Sequence, residues 1–282
     1  MRTEQEMLDL ILRVANADER VRAVLLNGSR ANANVPKDIY QDFDILYFVT
    51  DVASFTCDHS WIDVFGERLI LQMPETMRYP DGGEDFPYLM LFADGNRIDL
   101  TLVPLTEEKI KQREGLTLTL LDKDGILPVY PPATDKNFWL KEPDALFYYS
   151  CCNNFWWCLN NVAKGIARDE LSYTMYMLND VVRGELHDMM DWYIGTRHGF
   201  NISVGKNGKF YKKFLPPEIY QKYAVTYSSW ENIWAAVFAM CDLFHKLALD
   251  VAEKFNFVYR QDEEDGIRKY LETISLRRHP AP

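Results

Sequence analysis

The 282-residue chain has 48% hydrophobic and 26% charged residues, the composition of a globular protein with a sizeable core. It carries 31 Lys and Arg against 42 Asp and Glu, a formal net charge of −11, which argues against nucleic acid as the main partner. The same charge is compatible with a cationic small-molecule substrate. No window approaches the ~18–20 apolar residues of a membrane span, so no membrane partner is expected.

The N-terminal half is predicted to alternate short helices and strands. Apolar residues at helical spacing predict the first helix, and short apolar runs that end in turn residues predict the strands. In chain order the prediction is a helix over roughly residues 3–17, a strand at Val21–Leu26, a short helix from about Ser29, a strand at Phe43–Val49, a helix near Trp61–Gly66 and a strand at Arg68–Met73.

A β-hairpin is predicted next. The β-rich runs Tyr88–Ala93 and Arg97–Val103 flank Asp94-Gly95-Asn96, a composition preferred in tight turns. Asp99 lies in the returning strand between Ile98 and Leu100. Burying an unpaired charge among apolar neighbours is costly, so this carboxylate is a candidate functional residue.

A cluster of prolines at Pro128, Pro131 and Pro132 predicts a domain boundary, which we place between residues 1–135 and residues 136–282. The second domain is predicted to be mainly helical. Its predicted segments are helices from Asp144 to about Ala167, Asp169 to about Thr196 and Trp230 to about Phe255, a loop with a short hairpin at Gly199–Lys213, and a solvated mixed-charge face at Arg260–Asp265.

The five cysteines have no zinc-site spacing, and the start of the chain has no secretory signal pattern. We therefore expect a cytoplasmic protein whose thiols are reduced and mostly buried. The sequence does not determine the oligomeric state, for which our expectation is a monomer or weak homo-oligomer.

The most informative motif is Asp42-Phe43-Asp44, at the start of a predicted buried strand and shortly after Gly28-Ser29. Side chains at i and i+2 of a strand point to the same face, so both carboxylates are directed at one place. Such a pair requires a cation, and Mg²⁺ in proteins commonly links carboxylates to substrate phosphates. Each motif alone is common on protein surfaces, but together with Asp99 they predict a metal–nucleotide site.

This pattern resembles the nucleotidyltransferase superfamily, and further motifs resemble the aminoglycoside 6-adenylyltransferases, the streptomycin adenylyltransferase family. The further motifs are Phe155-Trp156-Trp157, Asn161–Gly165, Arg168-Asp169-Glu170, Asp191-Trp192-Tyr193, Gly195–Gly199 and Gly205-Lys206. The resemblance implies an α/β (α+β) fold, with a small mixed-sheet nucleotidyltransferase domain before the helical domain. It also implies Mg-dependent transfer of AMP from ATP to a streptomycin hydroxyl, at position 6, which inactivates the antibiotic.

In that reaction Asp42, Asp44 and Asp99 would hold Mg²⁺, as two ions in the superfamily, and Gly28 and Ser29 would cradle the triphosphate. Asp99 is also our candidate for the general base. The predicted cationic partners of the phosphates are Arg30, Lys206 and Lys209.

Streptomycin carries two guanidinium groups, which pair with carboxylates and stack on aromatic rings. Asp180, Glu185 and Trp156 are the predicted substrate contacts, although acidic helix faces and tryptophans are more often solvated surface and core. We further expect Asp180, Asp188 and Asp191 to share a helix face.

Two other functions remain open from the residues. One is a nucleotidyltransferase with a different acceptor, such as another aminoglycoside, a lincosamide or a protein hydroxyl. The other is a non-catalytic ligand-binding module, against which the three intact carboxylates argue.

Overall fold

The computed structural model describes residues 1–80, 83–111 and 115–277. The chain divides into two compact units, Met1–Asn137 and Phe138–Pro282. In the first unit the strands are β1 Val21–Asn27, β2 Phe43–Val49, β3 Arg68–Gln72, β4 Phe86–Phe92, β5 Arg97–Pro104 and β6 Thr117–Asp122. Its helices are α1 Glu4–Ala17, α2 Ala53–Thr56 and α3 Glu107–Lys111, with 3-10 turns at Gly28–Ala31, His59–Phe65 and Pro74–Thr76.

The six strands form one mixed sheet in the order β3-β4-β5-β2-β1-β6, in which β2 and β5 run parallel and the other neighbours antiparallel. The predicted mixed sheet is therefore confirmed. Strand β6 had no counterpart in the sequence prediction. It lies at an edge of the sheet and is only partly buried, so its apolar pattern is weak.

Helix α1 packs one apolar face against this sheet. A capping box between Thr3 and Glu6 starts the helix and satisfies backbone N–H groups at its first turn. Met7 and Ile11 on α1 are fully buried in the same cluster as Phe43 of β2. The carboxylates of Asp42 and Asp44 lie at the start of β2, and most of the residues that follow them in this strand are buried.

The second unit is mainly helical, as predicted. Its helices are α4 Ala145–Ala167, α5 Leu171–Tyr176, a π-helix Met177–Val182, α6 Arg183–His198, α7 Tyr211–Phe214, α8 Pro217–Val225, α9 Ile233–Phe255 and α10 Gln261–Ser275. Short 3-10 turns lie at Lys136–Phe138, Lys206–Gly208 and Trp230–Asn232.

The hairpin predicted within Gly199–Lys213 is wrong. The described chain forms a 3-10 turn and then α7 there. Gly205, Asn207 and Gly208 all have positive φ, and these left-handed positions interrupt any extended pairing. A Cβ on Gly208 would lie 2.1 Å from the Tyr211 ring, so the turn packs directly on the helix that follows.

The interpretation of Arg260–Asp265 as a solvated face is also wrong at Glu264. This side chain is 2% exposed and sits in helix α10. Its carboxylate contacts His245 Nδ1 at 2.6 Å and accepts hydrogen bonds from Tyr259 Oη at 2.7 Å and Arg268 Nε at 2.6 Å. The partners of Glu264 lie on α9, on α10 and in the segment between them. Their hydrogen bonds compensate for the desolvation of its charge.

The five cysteines are unpaired, and four of them are buried, which agrees with the prediction that they are mostly buried. Across the described part of the chain, no helix combines the length and apolarity required to cross a membrane.

Candidate active site

The parallel pairing of β2 with β5 brings two of the predicted carboxylates together. Phe43 pairs with Ile98, and Asp44 pairs with Asp99. Neighbouring residues in register point to the same side of a sheet, so the Asp44 and Asp99 side chains share one face. Asp42 comes just before β2, two residues from Asp44, while Phe43 between them is fully buried. The predicted juxtaposition of these carboxylates is present in the structure.

Gly28 ends β1 in close contact with Asp44. Its φ is +74°, and a Cβ at this position would lie 2.1 Å from Asp44 Oδ2. The Gly28 N–H donates to the Leu116 carbonyl at 3.1 Å, which fixes the turn against the sheet. Ser29 follows in the 3-10 turn Gly28–Ala31. Only glycine fits between β1 and the carboxylate, so the glycine-serine turn and the carboxylates form one site.

Arg97, which the sequence analysis did not single out, lies between the carboxylates. Its Nε and Nη2 donate to the two oxygens of Asp99 at 2.7 and 2.6 Å, and its Nη1 lies 3.5 Å from Asp42 Oδ2. The hydrogen bond to Asp99 is the main cause of a raised Arg97 pKa, and the charges of Asp99, Asp42 and Asp44 add to it. The sequence signal that could have indicated Arg97 is its position two residues before Asp99, which places both side chains on the same face of β5.

Arginine charge stabilises the ionised form of Asp42. Burial is the main cause of a raised Asp42 pKa, the Arg97 charge opposes the shift and the Asp99 charge adds to it. Within residues 1–80, 83–111 and 115–277, no group of three or more His, Cys, Asp or Glu side chains forms a ready metal cluster. The donor chemistry nevertheless fits Mg²⁺, because hard carboxylate oxygens converge on a position where a guanidinium already serves as the cation.

Arg30 does not have the environment predicted for a phosphate ligand. It is 8% exposed, and it donates from Nε to the Asp42 carbonyl at 3.0 Å and from Nη2 to the Gln41 carbonyl at 2.7 Å. Its guanidinium carbon lies 3.8 Å from the centroid of the Phe43 ring. Arg30 therefore holds the segment that enters β2, and its buried guanidinium is unsuited to the triphosphate contact predicted for it.

Lys206 and Lys209 belong to the second unit and are exposed. Lys206 begins the 3-10 turn Lys206–Gly208, and Lys209 Nζ lies 5.1 Å from the centroid of the Phe210 ring. The Gly205 N–H donates to Ser203 Oγ at 3.1 Å and the Gly208 N–H to the Gly205 carbonyl at 3.1 Å, so neither group is free for an anion. The phosphate contacts predicted for this segment therefore depend on the two exposed lysine side chains and stay a prediction.

Of the two acidic residues predicted to bind substrate, Asp180 is exposed on the π-helix and Glu185 is half-buried on α6. Asn154 Nδ2 donates to Glu185 Oε1 at 2.6 Å. Short π-helical segments occur frequently at functional sites.

A group of interacting carboxylates follows on α6. Burial raises the pKa of Asp191 to about 6, Tyr211 opposes the shift with a hydrogen bond, and the Asp188 charge adds to it. The pKa of Asp188, an exposed residue of α6, is raised as well, by partial desolvation and by the Glu185 charge. Glu185, Asp188 and Asp191 thus form the interacting group on α6, whereas the sequence analysis grouped Asp180 with Asp188 and Asp191. Asp180 lies in the π-helix Met177–Val182, whose wider turns alter its spacing relative to the residues of α6.

Trp156 lies in the core of the helical unit, contrary to its predicted role as a substrate platform. It is 2% exposed, and its indole N–H donates to Tyr259 Oη at 3.0 Å. Phe155 and Phe244 pack edge-on against its ring. A buried ring offers no face to a ligand, so we do not retain Trp156 as a substrate contact; neighbouring Trp157 is 65% exposed.

A mixed sheet whose first strand ends in a glycine turn against paired carboxylates is the arrangement expected of a nucleotidyltransferase. Comparison with known proteins gives the same class. A family profile described as streptomycin adenylyltransferase matches residues 1–274. The chain belongs to the streptomycin adenylyltransferase family of enzymes, as its sequence motifs predicted.

Several relatives are similar over nearly their full length, and each is named an aminoglycoside 6-adenylyltransferase. The protein from Bacillus subtilis (strain 168) is 41% identical over 97% of this chain and 98% of its own. That from Campylobacter jejuni is 43% identical over 95% of this chain and 98% of its own. A crystal structure of an aminoglycoside 6-adenyltransferase from Bacillus subtilis has 37% identity and a TM-score of 0.48, covering 98% of this chain and 100% of that chain.

Proposed function

We propose that the enzyme transfers AMP from Mg-ATP to a hydroxyl of streptomycin, at the 6-position implied by the names of its relatives, and releases pyrophosphate. The observation that carries the proposal is the pairing of Asp44 with Asp99 directly against Gly28. Membership of the family and the aminoglycoside activity named for the relatives support the acceptor class.

Asp42, Asp44 and Asp99 are the residues that would hold Mg²⁺, two ions in our proposal. When bound, the metal supplies positive charge for the attacking and leaving oxygens of an in-line displacement at phosphorus. Asp99 accepts the proton of the acceptor hydroxyl, because a sugar hydroxyl is a weak nucleophile at neutral pH. Its position on a rigid central strand holds the carboxylate in place for this transfer.

In this proposal the turn at Gly28 and Ser29 binds the triphosphate, while the phosphate contacts of Lys206 and Lys209, in the second unit, stay predictions from the sequence. The absence of a side chain at Gly28 lets backbone N–H groups approach a phosphate, and Ser29 adds a hydroxyl donor. Exposed lysines are suited to neutralise the phosphates and the pyrophosphate that leaves. Arg30 supports the site indirectly through the Asp42 carbonyl.

Asp180 and Glu185 would bind the guanidinium groups of streptomycin. We thus assign nucleotide chemistry to residues 1–135 and substrate binding to residues 136–282. Glu185 is half-buried and held by Asn154, so its carboxylate is pre-oriented for a bidentate contact. Glu185→Gln and Asp180→Asn should raise KM for streptomycin about tenfold with little change in KM for ATP. Glu253→Gln, on an exposed site of α9, is the charge-matched control and should change neither constant.

An acceptor panel tests the proposal. Purified protein is incubated with Mg-ATP and, separately, streptomycin, other aminoglycosides, a lincosamide and a protein acceptor, and the products are analysed by mass spectrometry and NMR. We expect one adenylyl group on the 6-hydroxyl of streptomycin. Transfer only to another acceptor would reassign the substrate, and binding of streptomycin without turnover on any acceptor would favour a non-catalytic module.

A further inference from the structure

Arg97 occupies the place of a cation at the carboxylate end of the sheet. Both oxygens of Asp99 accept hydrogen bonds from its guanidinium, and Asp42 Oδ2 lies 3.5 Å from Nη1. A bidentate guanidinium–carboxylate pair is among the strongest of the hydrogen-bonded ion pairs in proteins. The side chain that neutralises the site is therefore part of the chain itself.

The exposure of these side chains determines how firmly Arg97 is held. The Arg97 side chain is 43% exposed, that of Asp42 38% and that of Asp99 21%. At such exposure water screens each ion pair and can solvate a released guanidinium at modest cost. Arg97 can therefore leave, whereas the buried guanidinium of Arg30, 4% exposed at its side chain, cannot do so cheaply.

We propose that Arg97 is a built-in counterion that competes with the divalent metal for Asp42 and Asp99 and must leave this pair when the metal binds. The inference rests on the metal site in the proposed function and adds an order of events to it. Before metal binds, Arg97 relieves the repulsion between the carboxylates and keeps them directed at one point. The cost of displacing it weakens metal binding to the nucleotide-free protein.

The pairing of Arg97 with Asp99 also affects proton transfer. Because Arg97 engages both Asp99 oxygens, Asp99 has poor access to the proton of an acceptor hydroxyl while the pair persists. Release of Arg97 on metal binding therefore precedes the step in which Asp99 acts as a base. Arg97 is a positioning residue in this account, since it acts through Asp99 and Asp42.

The test measures Mn²⁺ binding to nucleotide-free protein by electron paramagnetic resonance and calorimetry, without any turnover. Arg97→Gln should bind Mn²⁺ about tenfold more tightly than the wild type. The matched control is Arg22→Gln, because Arg22, like Arg97, pairs with two carboxylates: with Asp124 through Nε and Nη2, and with Glu19 through Nη1. It changes the net charge equally, at the other end of β1, and should leave Mn²⁺ affinity unchanged.

Arg97→Lys provides a second variant that keeps the positive charge. A lysine cannot engage both Asp99 oxygens in the same fork, so its Mn²⁺ affinity should lie between those of the wild type and Arg97→Gln. Thermal unfolding of each variant without metal verifies that it is folded. If Arg97→Gln does not fold, the lysine variant decides, and it must bind Mn²⁺ more tightly than the wild type.

Three outcomes would overturn the inference. If Arg97→Gln binds Mn²⁺ no more tightly than the wild type while Asp44→Asn abolishes binding, the metal site stands and the competition is wrong. If Arg22→Gln tightens binding equally, net charge alone explains the effect. If the wild type binds no Mn²⁺ with or without ATP, the proposed metal-dependent function fails together with the inference.

Discussion

Asp44 on β2 lies directly opposite Asp99 on β5, in a parallel strand pair of an otherwise antiparallel described sheet. A parallel pair brings corresponding ends of two strands together, so carboxylates from distant parts of the sequence lie at the same end of the sheet. Gly28, directly after β1, lies at the same end of the sheet. The contact with Asp44 leaves space there for a hydrogen atom but not for a methyl group.

Gly28→Ala should reduce transfer activity about a hundredfold and destabilise the fold by roughly 1–3 kcal/mol. Its Cβ would lie 2.1 Å from Asp44 Oδ2, so the carboxylate must move. Gly125→Ala is the control, because Gly125 also has positive φ (+64°) but no atom within 4 Å of its Cβ position. It should lose about 1 kcal/mol without loss of activity. Equal activity losses in both variants, measured beside urea unfolding, would show that backbone strain and not the Asp44 contact matters.

Arg30→Met should lower the free energy of unfolding by about 2–3 kcal/mol, because two backbone carbonyls would lose a buried charged donor. The control is Lys37→Met, because Arg30 and Lys37 both pair with Glu4, at 3.5 and 2.9 Å. The Lys37 side chain is 64% exposed, so its loss should cost less than about 1 kcal/mol. Chemical denaturation measures both. A large rise in KM for ATP with no loss of stability in Arg30→Met would instead restore the phosphate-binding role.

Glu264→Gln should destabilise the helical unit by about 3 kcal/mol, because the buried His245 and Arg268 contacts would lose their anionic partner. The neighbouring Asp262→Asn, at a side chain 66% exposed, should change stability by less than about 0.5 kcal/mol. Thermal or urea unfolding compares the two variants. Similar small effects in both would mean that the Glu264 network contributes little to stability.

Asp191→Asn should stabilise the protein at neutral and alkaline pH. Burial raises the pKa of Asp191 from 3.8 to about 6, so the folded state favours the neutral carboxyl and loses stability as pH rises through that interval. Asparagine keeps an oxygen acceptor for Tyr211 and removes the charge. The gain should be about 1–2 kcal/mol at pH 8 and vanish below about pH 4.

Urea unfolding of the wild type and Asp191→Asn between pH 4 and pH 8 tests this expectation. The matched variant Asp180→Asn removes a charge from an exposed site and should show no such pH dependence. A variant at Asp191 that is less stable than the wild type at pH 8 would show that the ionised carboxylate is favourable.

The sequence predicted five strands of the described sheet and the three carboxylates because these depend on local patterns. An apolar run marks β2, and Asp42 and Asp44 fall at its start, while Asp99 stands out as a charge in an apolar strand. The positions of Arg97 and Arg30 were not predictable in this way. An exposed arginine at the start of a strand, such as Arg97 in β5, is ordinary. Nothing near Arg30 in sequence indicates that its side chain folds back onto the Asp42 carbonyl.

In the helical unit, too, features that depend on local patterns were predictable and tertiary contacts were not. Helix-period apolar residues predicted the long helices, but they did not reveal the π-helix that contains Asp180. Glu264 looked like a solvated charge because its partners His245 and Arg268 come from α9 and from the next turn of α10. Contacts that depend on tertiary packing leave little trace in a single sequence.

The most direct test of the central claim is pyrophosphate release by wild-type protein and by Asp44→Asn, with Mg-ATP and streptomycin. We expect release by the wild type that depends on both Mg²⁺ and streptomycin, and a loss of at least about a thousandfold in Asp44→Asn, with circular dichroism and thermal midpoint little changed. No release by the wild type, or release retained in Asp44→Asn, would contradict a carboxylate-dependent adenylyl transfer at this site.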